Sequence, residues 1–206
     1  MESQPVGPSL RQRNRAATRA ALISAAIRLG NQRGWDATSV SDIAAAAGAS
    51  RRTFNNYFAS KEDAIVRLGA LRLAEVREFL ESAAGDEPLW SAIRTAFREV
   101  FSAAEALDDE QRRAVAELVR ATPALQAAQI AADVAAEKEL AAGIAARLEA
   151  GASGGLYPRL AAAVISRTVR VSYQYWLAKR LTTPFVDTLD HSLGQVALGL
   201  PPPAGS

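Results

Sequence analysis

The stretch GASRRTFNNYFASKEDA, residues 48–64, decides how this chain is read. Between Arg51 and Lys61 it carries two arginines, two asparagines, three aromatics and a lysine, in a chain otherwise rich in alanine. Gly48 can end one helix and Ser50 can cap the next, so a helix is expected over 51–58. At ~100° per residue, Phe54 and Phe58 fall on one side, and Arg52, Thr53, Asn55 and Asn56 sweep the other. Arg51 and Tyr57 sit at the seams. The aromatics anchor such a helix, and the opposite face presents side chains that pair bidentately with guanine and adenine edges in the major groove. A merely solvated polar face is the alternative. Glutamate or lysine would serve that purpose better, because asparagine lowers helix propensity.

Upstream, TSVSDIAAAAG (38–48) reads as a short helix. Ser39 and Asp42 form a capping box at its start, Ile43 and Ala47 face inward, and Gly48 closes it. Before it, apolar residues recur at helical spacing from 14 to 33: Leu22, Ala26 and Leu29 on one stripe, Ile23 and Ile27 beside it. Gly34 supplies a left-handed stop. Downstream, Ser60 and Asp63 make another capping box and open a long helix to about residue 84. Two short helices joined by a glycine turn, behind a longer supporting helix, make a helix-turn-helix.

These residues carry a resemblance. The segment TRAALISAAIRLGNQRGWDATSVSDIAAAAGASRRTFNNYFASKEDAI, from Thr18 to Ile65, closely resembles the DNA-binding domain of the tetracycline-repressor (TetR) family. The shared features are the Thr-Arg opening, Gly-aromatic before a Thr/Ser pair, the Ile-Ala…Ala-Gly second helix and Tyr-Phe-x-Ser-Lys-Glu at the close. The resemblance implies phosphate contacts by Thr18, Ser39 and Lys61, with Tyr57 near the backbone. It puts Arg51, Arg52, Thr53, Asn55 and Asn56 at positions that read bases or adjoining backbone. Two residues depart from the family pattern. Asn55 replaces an aromatic that commonly meets a phosphate, which suits it to reading a base instead. Gly30 stands where phenylalanine is frequent, at about 1 kcal/mol of helix propensity relative to alanine, and Trp35 is the candidate to fill the space.

Beyond residue 84 the helix signals are regular. Asp86 with Pro88 opens a fifth helix carrying Leu89, Trp90, Ile93, Phe97, Val100 and Phe101. Asp108 caps a sixth over 109–121, with Val115, Leu118 and Val119 inward. Thr122-Pro123 opens a seventh to about 150, GASGGLYP (151–158) is a linker, Pro158 begins an eighth to about 180, and Thr183-Pro184 opens a ninth. This body also resembles the ligand and dimerisation domain of the TetR family, and ELVRATPALQA (117–127) resembles a segment of mycofactocin-type regulators. In the family the last two long helices form a four-helix bundle with a second subunit. The candidates here are Leu160, Val164, Thr168, Val171, Tyr175, Leu189, Leu193 and Val196, some of them also core. An effector cavity between helices five and eight would be lined by Phe97, Phe101, Leu118, Ile130, Leu140, Ile144, Tyr173 and Trp176. Arg94, Arg98, Arg120 and Arg170 are surface groups or anion contacts.

Charge and composition support this division. Residues 1–62 hold nine Arg/Lys against four Asp/Glu, and residues 63–206 hold fifteen against eighteen. A basic N-terminal part on a slightly acidic body suits one end to a polyanion. The chain has no cysteine, which excludes disulfides and thiolate chemistry, and a single histidine, His191, which leaves no transition-metal cluster. Asp190, His191 and Ser192 are adjacent, so on a helix they point ~100° apart and cannot form a hydrolytic triad. The N-terminus has no apolar secretory region and no run reaches the ~20 residues of a membrane span. A helical protein-binding adaptor would explain the amphipathic helices but not the convergence of Arg51, Arg52, Asn55 and Asn56.

The expectation is an all-α protein of about nine helices. An unstructured arm (1–12) leads a helix-turn-helix domain (13–62), followed by a ligand-binding and dimerisation domain (63–200) and a tail (201–206). The partners expected are double-stranded DNA with a palindromic operator, a bulky apolar or amphipathic small molecule and a second copy of the chain, in the cytoplasm. No cofactor, metal or membrane is expected, and no catalysis. Arg11, Arg13 and Arg15 are candidates for added minor-groove or phosphate contacts.

Overall fold

In the computed structural model, which describes residues 10–82, 87–102, 109–148, 155–180 and 182–201, every regular element is an α-helix. They are α1 Leu10–Arg33, α2 Val40–Ala46, α3 Arg51–Asn55, α4 Lys61–Ser82, α5 Leu89–Ser102, α6 Asp109–Ala121, α7 Pro123–Arg147, α8 Leu156–Ala178 and α9 Phe185–Ala197. None of them is long and apolar enough to cross a membrane. The expected caps Asp86 and Asp108, residues 1–9, the glycines of 151–154 and the tail 202–206 lie outside the described residues.

The helix ends follow local chemistry. α1 starts at Leu10, inside the stretch 1–12 expected to be an arm and ahead of the expected residue 14. α2 carries the expected box: the Ser39 hydroxyl accepts the Asp42 N–H at 3.1 Å, and Asp42 Oδ2 accepts the Ser39 N–H at 3.0 Å. Gly34 and Gly48 have φ of +83° and +65°, the left-handed region that turns the chain after α1 and α2. The expected box at α4 is half formed. Ser60 accepts the Asp63 N–H at 3.1 Å, but the Asp63 carboxylate accepts from the Ala59 N–H at 2.9 Å instead of from Ser60. α8 begins at Leu156, ahead of Pro158, which is tolerated because its missing N–H falls in the first turn.

The helices form two compact units, one of Met1–Arg67 with Ala106–Gln129, the other of Leu68–Glu105 with Ile130–Ser206. A boundary at 62/63 had put α6 in the C-terminal domain; instead α6 belongs to the first unit, where it packs on α1. The reason lies at Gly30. A Cβ there would stand 2.9 Å from Leu118 Cδ2 and 2.9 Å from Trp35 Cε3, so the missing side chain is the socket into which α6 and the Trp35 ring fit. Gly30→Ala is expected to lower stability by up to about 2 kcal/mol, overpacking of about 1–3 kcal/mol outweighing about 1 kcal/mol of helix propensity. Thermal unfolding measures it, and a stabilised variant would show that the socket yields.

In the second unit α9 packs against α5 and α8. Its Phe185, Leu189 and Leu193 join Val76, Leu80, Ile93, Phe97, Leu140, Ile144, Ile165 and Trp176 in one core. Arg94 of α5 grips Asp190 of α9 with two bonds, Nε to Oδ1 at 3.0 Å and Nη2 to Oδ2 at 2.8 Å, and Arg98 adds a third at 2.9 Å. The Arg94 hydrogen bonds, aided by Arg98, hold the Asp190 carboxyl below its ordinary range against the opposing effect of partial burial. These two arginines are therefore occupied within the fold.

Candidate functional site

The recognition segment is built as its periodicity requires. Phe54 and Phe58 are 0 % and 2 % exposed, their ring centroids 5.4 Å apart, so one side of α3 is fastened to the first unit. Ser50 caps the helix, accepting the Thr53 N–H at 3.0 Å. The helix is shorter than the expected 51–58, since Asn56 and Tyr57 already lie in the closing turn.

On the other side Arg51, Arg52, Asn55 and Asn56 are all exposed. Their side chains make no hydrogen bond or ion pair with another described residue. This matters because in a folded protein most such donors are committed. Two guanidinium groups and two carboxamides left uncommitted on one short helix form a surface suited to hydrogen bonding with something outside the chain.

The remaining predicted contacts are committed in the fold. The Thr18 hydroxyl donates to the Asn14 carbonyl at 2.9 Å. The Ser39 hydroxyl donates to Asp42 Oδ2 at 2.5 Å, and Ser39 holds that carboxyl below its ordinary range. Thr53 Oγ1 lies 2.8 Å from Ser50 Oγ. Lys61 Nζ donates to the Trp35 and Thr38 carbonyls at 2.6 and 2.9 Å. Tyr57 is half-buried beside Phe58, with the Arg15 guanidinium 5.8 Å from its ring centroid. Arg15 and Trp35 are the contributors to this region that periodicity could not reveal, since both act through contacts distant in sequence.

The residues expected to line an effector cavity divide. Phe97, Phe101, Tyr173 and Trp176 do come together, but around Phe185, whose ring centroid is 5.9 Å from Phe101, 5.4 Å from Tyr173 and 5.9 Å from Trp176. Phe185 was missed because it stands at a helix start, where it reads as punctuation. Leu140 and Ile144 are fully buried in the same core. Ile130 is 62 % exposed and lines nothing. Leu118 belongs to the first unit, where it helps to line an open cleft of about 420 Å³ with Asn31, Trp35, Asp36, Glu117 and Arg120. Those eight residues therefore do not form one cavity.

The expected dimer residues divide as well. Leu160, Val164, Val171 and Tyr175 are exposed along one side of α8, and Thr168 and Val196 are half-buried. Leu189 and Leu193 are 0 % exposed and are corrected to core, since α9 turns that face inward. The Asp190–His191–Ser192 run has no triad geometry: Asp190 is held by arginines and the Ser192 hydroxyl donates to the Thr188 carbonyl at 2.8 Å.

Comparison with known proteins bears on both units. Residues 22–67 match the family described as bacterial regulatory proteins, tetR family, and residues 87–201 match the MftR C-terminal domain. The HTH-type transcriptional regulator TcmR of Streptomyces glaucescens is 35 % identical over 180 residues, spanning 84 % of this chain and 79 % of its own. Two solved structures share the fold. The first is FadR of Thermus thermophilus, a TetR-family transcriptional repressor in complex with lauroyl-CoA (TM-score 0.54, 23 % identity, covering 91 % of this chain and 99 % of that one). The second is the fatty acid degradation regulator FadR of Bacillus halodurans (TM-score 0.58, 19 % identity, covering 97 % and 98 %).

Proposed function

The chain belongs to the TetR family of transcriptional regulators, and we propose that it is a homodimeric repressor released from a palindromic operator by a small-molecule effector. Regulators of this family are not enzymes. The observation that carries the reading is the uncommitted Arg51, Arg52, Asn55 and Asn56 side chains on the outer face of a capped, aromatic-anchored α3. In the major groove the arginines suit guanine edges and the asparagines adenine edges. Thr18, Ser39 and Thr53 approach the backbone with their remaining lone pairs or after releasing an internal bond, and Tyr57 with its hydroxyl.

Two copies are needed, because successive major grooves of an operator lie about 34 Å apart and one α3 reads only one of them. The exposed side of α8, Leu160 to Tyr175 with Thr168 and Val196, is the surface that joins them. The effector is a bulky apolar or amphipathic molecule of the acyl-CoA class, binding in the second unit among Phe97, Phe101, Tyr173 and Trp176 where Phe185 now sits. The lauroyl-CoA held by the Thermus FadR supports that class. The effector favours a subunit arrangement in which the two α3 helices no longer fit successive grooves, a population shift with reciprocal coupling between effector and operator. Such a regulator works in the cytoplasm, beside the DNA.

Selection of bound sequences from a random duplex pool tests the reading. A palindrome should be enriched, bound by two subunits with steep salt dependence, and lauroyl-CoA should weaken the complex. Absence of any enriched sequence would remove the DNA-reading function. Arg52→Ala should weaken binding to the selected operator by about 1–3 kcal/mol per half-site and reduce discrimination between operators. Equal weakening on all duplexes would reassign Arg52 to a phosphate.

A further inference from the structure

Lys61 stands at the start of α4 beside the recognition segment, where a lysine is expected to neutralise a phosphate. Its geometry describes a different task. The side chain is half-buried, and Nζ lies 5.0 Å from the centre of the Trp35 ring. Two of the three ammonium protons are directed at protein, towards the Trp35 carbonyl at 2.6 Å and the Thr38 carbonyl at 2.9 Å.

The neighbouring contacts close a clasp. Glu62 Oε1 accepts the Trp35 indole N–H at 3.0 Å. Burial pushes the Glu62 carboxyl up, but its own backbone N–H, the indole, Ser60 and Lys61 together bring it below its ordinary value. Thr38, 2 % exposed, donates its hydroxyl to the Gly34 carbonyl at 2.9 Å and its N–H to the Trp35 carbonyl at 3.1 Å. The turn between α1 and α2 is thus tied to the first turn of α4 through Lys61 and Glu62. The residue that follows is Ser39, the cap of α2, and α2 leads through the Gly48 turn into α3.

We propose that Lys61 is a positioning residue for DNA reading. Its ammonium fixes the 35–38 turn, and so the direction in which α2 and α3 leave it, and its charge is committed to carbonyl dipoles rather than to a phosphate. The proposal rests on the DNA-reading function argued above. It is separable from it, because a phosphate contact and a clasp leave different marks on salt dependence. Each phosphate contact contributes about 0.9 to the slope of log affinity against log salt, whereas a clasp contributes to affinity alone.

The test is the affinity of the full chain for its selected duplex across a salt series, for wild type, Lys61→Met and Lys61→Arg. Measurements are made where circular dichroism shows the proteins folded. Lys61→Met should lose about tenfold or more at every salt concentration, as expected for hydrogen bonds to a charged group, with the slope unchanged. In the free protein, amide exchange at Thr38 should accelerate. A slope lowered by about 0.9 per lysine would establish a phosphate contact and overturn the proposal, as would unchanged affinity. If the methionine variant does not fold, Lys61→Arg decides. Charge is retained there, but the planar guanidinium does not reproduce a compact ammonium over the indole, so affinity should fall at constant slope. Full affinity in that variant would overturn the clasp. A wild type that binds no duplex defeats the DNA-reading function itself.

Discussion

Phe54→Ala should remove about 3–5 kcal/mol of unfolding free energy and abolish operator binding with it. α3 is five residues long, well below the ~12–15 at which an isolated helix becomes even marginal in water. Its shape therefore depends on what holds it from outside. The Ser50 cap contributes about 1 kcal/mol by the usual scale of such caps. The Phe54 ring, 0 % exposed and against Phe58, is the larger contribution by a factor of several. Truncation leaves a cavity and loses dispersion contacts that no neighbour can replace. Against a typical total of about 5–15 kcal/mol, such a loss populates the unfolded state, and it frees the face that carries Arg51, Arg52, Asn55 and Asn56. Urea unfolding followed by circular dichroism supplies the number. A loss below about 1 kcal/mol would mean that the caps and turns, not the ring, orient α3.

Val171→Glu should convert the dimer to a monomer and weaken operator binding by about 100-fold to 10,000-fold. At ~100° per residue, Leu160, Val164, Val171 and Tyr175 fall within about 60° of each other on α8. Their exposures are 53, 42, 50 and 54 %. A contiguous apolar stripe of this kind on a folded chain marks an interaction surface. In a two-fold contact the same patch meets itself, so one glutamate per chain places two carboxylates in an apolar seam. Each operator half-site would then be bound separately, without the effective concentration that a dimer provides. Sedimentation velocity with an operator titration checks both effects. A variant that remains dimeric would remove the α8 stripe from the interface.

The helices, their caps and the two faces of α3 were legible because each depends on residues within a turn or two. Ser39 with Asp42, Ser50 with Thr53 and Gly34 with its left-handed φ are contacts at separations of four residues or fewer. The outward face of α3 followed from the same short-range geometry. The failures concern partners far apart along the chain. Leu118 was assigned to an effector cavity, although Gly30 is its socket. Leu189 and Leu193 were assigned to a dimer, although they complete a core. Lys61 was assigned to a phosphate by resemblance, although its ammonium faces residues 23 and 26 positions away.

By itself, then, the sequence determined an all-helical protein of the TetR family and the side chains that α3 turns outward. Those are local quantities, set by periodicity, capping and glycine conformation. Only the tertiary structure decided which apolar stripe meets which, that Arg94 and Arg98 are occupied by Asp190, and that Trp35 and Lys61 clasp the turn before α2. An amphipathic helix advertises that it will bury a face but not against what, because burial of apolar surface is non-directional and any complementary stripe satisfies it.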